Sequence, residues 1–355
     1  MTAHIWVRAE NKANEKRVAL VPSDAKDLIA AGFTVTVERS SQRAIPIEDY
    51  ETAGCAIADE FSWPNAPADA FVLGVKYLPK GNEALPHRHI YFGHVFKDQP
   101  GWEHTLGRFA EGGGTLYDLE CLVDENGRRL AAFGYWAGYA GAAVAAKVWI
   151  GQQQGHNPSI TQVHDYPNRD ALIAELKADL QPLDAMPSMV VIGALGRCGT
   201  GASDLGEQLG IKVSKWDMAE TASGGPFPEL QHHSMFVNAI LAAPGVPVFV
   251  GPKDIKAPDR QLSVICDVSC DPESSYNPIP IYDHSTTFDD PVIRVLDEAV
   301  PLDVTAIDHL PSMLPKEASE DYSRQLTPVL MTLGEPEKDV WGRALDDFKK
   351  HSARI

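Results

Sequence analysis

Short apolar runs of strand length alternate with longer helical segments along most of the chain, the pattern of parallel sheets covered by helices. Ile5-Trp6-Val7 predicts a first strand. Ser23 as N-cap, a helix to Ala31, a stop at Gly32 and a second strand over 34–37 complete a strand–helix–strand unit. Residues 71–75 predict another buried strand and residues 90–93 a fourth, followed by the polar residues Lys76 and His94.

Around residues 137–143 the sequence turns small and apolar, and a tightly packed helix continues over 143–150; the domain crossover is placed here. Residues 151–167, rich in Gly, Gln, Asn and Pro, read as a surface loop ahead of a helix over 170–180. Further strands are expected at 189–192, 211–216, 235–237, 246–250 and 262–268. Residues 321–355 are again helical and amphipathic, a segment that in two-domain folds of this kind returns to the first domain.

At 355 residues, with roughly 150 per domain as the prior, two domains are expected, and 44% hydrophobic content is ample for packed cores. Forty-nine acidic against 31 basic residues give a net charge of −18, which repels phosphate backbones and anionic lipid, so neither nucleic acid nor a membrane surface is an expected partner. No apolar run approaches the roughly 18 residues of a membrane span, and Met1-Thr-Ala-His-Ile-Trp lacks a signal-peptide pattern. Cys55, Cys121, Cys198, Cys266 and Cys270 include no Cys-x-x-Cys pair, which fits a reducing cytoplasm.

The segment Val190-Val191-Ile192-Gly193-Ala194-Leu195-Gly196-Arg197-Cys198-Gly199-Thr200-Gly201 runs from a strand through a glycine-rich turn into a helix over 202–209. Such a turn lets backbone amides and a helix N-terminus approach a pyrophosphate, because glycine removes the side chains that would block it. Its spacing departs from plain G-x-G-x-x-G, and similar turns also arise for structural reasons. Asp217 closes the next strand, 24 positions after Gly193. An acid there accepts hydrogen bonds from both adenosine ribose hydroxyls and repels a 2′-phosphate, which favours NAD over NADP. A strand-end turn residue is the other role open to Asp217.

Lys76 and His94 emerge at one sheet edge if their strands are parallel neighbours, and open α/β sheets bind ligands at that edge. A lysine serves as a base near neutral pH once partial burial and a nearby cation weaken its hold on the proton; histidine needs little adjustment. The same two residues also fit a solvated lysine and a histidine bonded to a backbone carbonyl. Arg8, Arg17, Arg128 and Arg129 carry guanidinium forks suited to substrate carboxylates, or to surface pairs. His87-Arg88-His89 offers two imidazoles without a third ligand at metal spacing, His232-His233 and Cys266 with Cys270 offer no more, and no Gly-x-Ser-x-Gly elbow is present. No metal site and no hydrolytic triad are expected.

Seven longer motifs stand in order along nearly the whole chain: Arg8-Ala-Glu-Asn-Lys12, Lys16-Arg17-Val-Ala-Leu-Val-Pro22, Lys97-Asp98-Gln99, Gly114-Thr-Leu-Tyr-Asp-Leu-Glu120, Gly127-Arg128-Arg129-Leu-Ala-Ala-Phe-Gly134, Ile192-Gly-Ala-Leu-Gly-Arg-Cys-Gly199 and Ile307-Asp-His-Leu-Pro-Ser-Met-Leu-Pro315. Together they closely resemble the saccharopine dehydrogenases of the NAD-dependent, lysine-forming type. The resemblance implies an α/β fold of two Rossmann-like domains with parallel sheets and a cleft between them, related in plan to alanine dehydrogenase and the transhydrogenase subunit. With the pattern above, it makes residues 1–135 plus 321–355 the substrate and catalytic domain and 136–320 the NAD-binding domain.

It also implies oxidation of saccharopine, a secondary amine joining lysine and glutarate, to an imine that is hydrolysed to L-lysine and 2-oxoglutarate. By the matching motifs, Lys76 takes the place of the general base on the amine and His94 that of the acid–base group handling water. Arg17, Gln99, Arg129 and Phe133 match substrate-binding positions. Arg128, Gly193, Gly196, Arg197, Gly199, Asp217, Thr221, Val268, Ile307, Asp308, His309 and Leu310 match the dinucleotide site. Two acid–base groups beside a nicotinamide suffice for this chemistry without a metal.

Two positions depart from the family's eukaryotic members. Tyr77 stands where an acidic residue follows the lysine, and Ala239 where a cysteine pairs with the one matching Cys198, so that disulfide cannot form here. Two other readings stay open. One is a related NAD-dependent dehydrogenase acting on another N-(carboxyalkyl) amino acid, which Tyr77 would permit. The other is a dinucleotide-binding protein without catalysis, against which the joint presence of Lys76 and His94 argues.

Overall fold

The chain begins as alternating strands and helices: β1 (His4–Val7), α1 (Pro22–Ala30), β2 (Thr34–Glu38), α2 (Ile47–Thr52), β3 (Ala56–Ala58), β4 (Phe71–Leu73), β5 (Arg88–Tyr91), α3 (Trp102–Gly112) and β6 (Thr115–Asp118). The computed structural model describes residues 3–97 and 99–355, so Asp98 of the Lys97-Asp98-Gln99 motif lies outside the described residues. The strands form one parallel sheet in the order β3-β2-β1-β4-β5-β6, the doubly wound order in which connections reverse between β1 and β4. Ile5, Val7, Val72, Leu73 and Ile90 are fully buried, as expected of parallel strands covered on both faces. Pro22 opens α1, where its missing N–H costs no hydrogen bond; Val21 is therefore the N-cap, and Ser23 lies inside the first turn.

Next come α4 (Gly134–Gln153), α5 (Arg169–Leu180), β7 (Ser188–Ile192), α6 (Arg197–Gln208), β8 (Lys212–Trp216), α7 (Met218–Thr221), β9 (Met235–Asn238), β10 (Val264–Asp267), β11 (Ile293–Leu296) and β12 (Leu302–Thr305). They form a second six-stranded sheet in the order β11-β12-β10-β9-β7-β8, parallel except for the edge strand β11. Helix α4 extends well beyond the expected 143–150, and its small residues let it lie directly on α6. A β-carbon at Gly138 would collide with the Cys198 carbonyl, and one at Gly201 with the Tyr135 carbonyl. The expected strand at 246–250 is absent: Pro247 has no N–H to give a ladder, and the amides of Phe249 and Val250 both donate to the Pro278 carbonyl, at 2.8 and 3.3 Å. Phe249 and Val250 nevertheless join the core of this sheet with Val190, Ile192, Phe236 and Ile265.

The C-terminal segment is two helices rather than one, α8 (Pro315–Leu330) and α9 (Asp339–Ser352). The chain divides into two compact units. The first holds the chain up to Ala132 together with Pro315–Ile355, and the second is Phe133–Leu314. The sequence-based breaks at 135/136 and 320/321 fall just inside α4 and α8, which the structure leaves whole. Among the described residues no helix is long and apolar enough to cross a membrane.

Candidate active site

In the first unit, β1, β4, β5 and β6 end side by side, with Val7 paired to Leu73, Leu73 to Ile90 and Tyr91 to Asp118. The segments that follow these strands meet at one edge, at the point where the strand order reverses. Beyond β4, the Val75 and Lys76 amides donate to the two carboxylate oxygens of Glu10, at 2.6 and 3.0 Å. The Arg8 guanidinium donates to the Lys76 carbonyl and pairs with Glu10 at 3.4 Å. A β-carbon at Gly74 would collide with that guanidinium. Arg8 is therefore a buried strut that fixes the backbone of Lys76, and not a receiver of substrate carboxylates as its residue type alone allowed.

His94 follows β5 with a left-handed φ of +51°. Its ring stacks on Phe92 at 6.4 Å between centroids, and Phe92 packs on Tyr322 of α8. His94 lines a cavity of about 150 Å³ with Phe96, Lys97, Gln99, Asp118, Glu120, Cys121 and Arg129. Within it Glu120 Oε2 pairs with Lys97 Nζ at 3.2 Å, while Oε1 stands 3.9 Å from both His94 Nδ1 and Arg129. Gln99 Oε1 accepts the Lys97 amide at 3.1 Å. Burial pushes the Asp118 carboxyl up to about 6; the amides of Glu120, Gly93 and His94 work against that rise, and the charge of Glu120 adds to it.

Arg17 lies in the same unit, buried, with Nε and Nη2 on the two Glu15 oxygens at 2.7 and 2.6 Å. Burial alone would raise the Glu15 carboxyl, but the Arg17 guanidinium and the charge of Lys76 outweigh it and hold the group low. Arg128 is exposed in the turn after β6, its amide donating to Asp124 at 2.9 Å. His87 and His89 are buried structural residues. The ring of His87 bonds the Ala66 carbonyl at 2.9 Å, and that of His89 packs among Trp63, Tyr91 and Phe109.

In the second unit, β7 leads into Gly193 at φ +85°, where a β-carbon would strike Ile240. The amides of Gly193 and Ala194 donate to the Trp216 carbonyl at 2.9 and 3.0 Å. A β-carbon at Gly199 would overlap the Gly193 carbonyl, so only glycine lets α6 begin this close to the turn. Gly196 is the N-cap of α6 and gives it no side-chain cap, as suits a helix N-terminus that receives a phosphate; Arg197 opens the helix.

Asp217 takes the strand-end turn role. One oxygen accepts the Leu195 amide of the glycine turn at 3.1 Å; the other caps α7 through the Met218 amide at 2.9 Å, completed by Glu220 as a capping box. Thr221 Oγ1 donates to the Asp217 carbonyl at 2.9 Å. Val268 follows β10, its amide on the Asn238 carbonyl at 3.0 Å. Beyond β12, Ile307 bridges to Thr286, Asp308 is exposed, His309 packs tilted against Phe288 at 4.5 Å between centroids and Leu310 is buried. Phe133 is the N-cap residue of α4.

The first unit thus brings Lys76, His94, Gln99, Arg129 and Arg17 to one sheet, and the second gathers the glycine turn, Asp217 and Thr221. Reading residue types along the sequence missed Glu10 and Asp118 as the groups that fix the backbone of these residues, and Glu15 as the group that holds the Arg17 side chain. The available signal was the pair of acid-bearing tripeptides just after apolar strands, Arg8-Ala-Glu10 and Asp118-Leu-Glu120.

Residues 6–140 match the family model described as alanine dehydrogenase/PNT, N-terminal domain. The chain is 46% identical over 361 residues to the saccharopine dehydrogenase (NAD(+), L-lysine-forming) of Neurospora crassa, covering 99% of this chain and 97% of that one. It is 45% identical over 353 residues to the protein of the same name from Schizosaccharomyces pombe, covering 96% of each. Its fold is similar to that of an L-alanine dehydrogenase, with a TM-score of 0.67, 20% identity and coverage of 98% of this chain and 94% of that chain.

Proposed function

The chain belongs to the saccharopine dehydrogenases of the NAD(+)-dependent, L-lysine-forming type, and from that membership we propose that Lys76 and His94 are the acid–base pair of its reaction. The enzyme interconverts saccharopine with L-lysine and 2-oxoglutarate, using NAD. In this reading the first unit carries the substrate chemistry and the second holds the dinucleotide.

The carrying observation is the backbone fixing of Lys76 and His94 beyond adjacent parallel strands, at the edge where the sheet reverses. Before an imine can form, the secondary amine must lose its proton, and the Lys76 amine is the base that takes it. Hydrolysis then requires a proton removed from water and one returned to the leaving amine, and the His94 imidazole moves both. Arg17 and Arg129, with Gln99 and Phe133, orient the carboxylates and carbon chain of the substrate. Glu15 already holds the Arg17 guanidinium through Nε and Nη2, and Glu120 stands 3.9 Å from Arg129.

The chemistry that NAD would supply when bound is that of a hydride acceptor. The residues that would hold it are Gly193, Gly196, Arg197, Gly199, Asp217, Thr221, Val268, Ile307, Asp308, His309 and Leu310, with Arg128. Fit to a pyrophosphate is supported by a tight turn in which Gly193 and Gly199 admit no β-carbon and by the uncapped start of α6. A cytoplasmic site of action belongs to the same proposal, supported by five free cysteines.

The test is NADH oxidation, followed by absorbance, with lysine and 2-oxoglutarate supplied. Lys76→Met should lower turnover by about 10²-fold or more while NADH affinity stays within about twofold of the parent. Undiminished turnover in that variant would remove Lys76 from the chemistry.

A further inference from the structure

Asp118 closes β6 opposite Tyr91 of β5 and is 2% exposed. Its carboxylate is the shared acceptor for three backbone amides: Gly93 at 3.2 Å, Glu120 at 2.9 Å, and His94. The His94 backbone, at φ +51°, lies in the left-handed region that a residue with a β-carbon adopts only under strain. Glycine precedes it for a steric reason: a β-carbon at 93 would come within 2.7 Å of Leu116 and 3.0 Å of Asp118 Oδ2. The strained conformation therefore coincides with the place where a buried carboxylate reaches the backbone amides.

We propose that Asp118 is a positioning residue for His94, its carboxylate holding the Gly93–His94 backbone in the left-handed conformation that presents the imidazole to the cavity. Both carboxylate oxygens are engaged, Oδ2 by Gly93 and Oδ1 by Glu120. An asparagine would keep one acceptor and turn an NH₂ group toward amides that also donate, so Asp118→Asn breaks the clamp at nearly constant volume. The functional weight of the clamp rests on the reading of His94 as an acid–base group; the clamp itself does not.

The experiment records the ring Cε1–H resonances of the 12 histidines by NMR in the full-length protein, in Asp118→Asn and in His94→Gln, with turnover measured on the same samples. The resonance missing from His94→Gln is that of His94. In Asp118→Asn that resonance should shift while those of the remaining histidines hold, and kcat should fall about tenfold with the NADH dissociation constant unchanged. An unmoved His94 resonance overturns the proposal whatever the turnover, and so does a shift of all histidine resonances together. If Asp118→Asn fails to fold, Gly93→Ala takes its place. It keeps the carboxylate but forces it back, and the same selective shift is expected. Full turnover in His94→Gln would instead defeat the acid–base reading and leave the resonance to decide the clamp.

Discussion

Asp217 serves the local fold, and in the function proposed above it serves ligand choice as well. Its carboxylate fastens the glycine turn through the Leu195 amide and caps α7 through Met218. Serine is also a good N-cap, so Asp217→Ser separates the cap from the charge. The variant should keep the fold and gain NADPH turnover relative to NADH by about tenfold, equivalent to ~1.4 kcal/mol, because the charge that repels a 2′-phosphate is gone. Parallel assays with the two nucleotides check it, and an unchanged ratio would assign Asp217 to the turn alone. The glycine turn and the acid after the next strand were legible in the sequence because their places depend on spacing along one strand–turn–helix–strand segment. Glu10 and Asp118 were not, since each acts on the backbone of a strand that lies far from it in sequence and beside it in the sheet.

Among the elements, α8 shows what periodicity leaves out. Its Ser319 and Ser323 are fully buried, and their hydroxyls accept the amides of Val18 at 2.9 Å and Val21 at 3.0 Å, which no strand or helix satisfies. A serine in a polar helical stretch reads as a solvated face; only the docking of α8 against the segment before α1 makes it an acceptor. Ser323→Ala strands the Val21 amide and should cost about 1–3 kcal/mol, read as a lower urea midpoint with an unchanged m-value. A midpoint within error of the parent would show that the amide finds another acceptor. The segment at 246–250 failed as a strand for the same kind of reason. Its apolar residues do join the core, but the partner of its amides is the Pro278 carbonyl rather than a neighbouring strand.

For the whole molecule, buried titratable groups set the response to acid. His89 is fully buried, and burial first, then the charges of Arg8, His87 and Arg108, holds its imidazole well below the ordinary 6.5. Below pH 6.5 the unfolded chain therefore takes up a proton that the folded chain refuses, and stability falls with pH by up to about 1.4 kcal/mol per unit from this group. Asp118, raised to about 6 by burial, acts in the opposite sense: the folded state binds its proton first as pH falls from about 6 towards 3.8. That contribution is common to the parent and to His89→Phe, so their difference isolates His89. Urea unfolding at pH 7.5 and 5.5 should show a shallower loss in His89→Phe, and equal losses would exclude His89 as the cause. The sequence by itself determined the α/β class, the glycine turn with its acid, and the family, because each is written in local periodicity or in motifs read in order. The tertiary structure alone decided that Arg8 is a strut, that Glu15 holds Arg17, that β12 joins β10 while 246–250 stays outside the sheet, and that a buried aspartate holds His94 in a left-handed turn. Each of these depends on which distant backbone amide or carbonyl finds a partner, and hydrogen bonds across a parallel sheet leave no period in the chain that makes them.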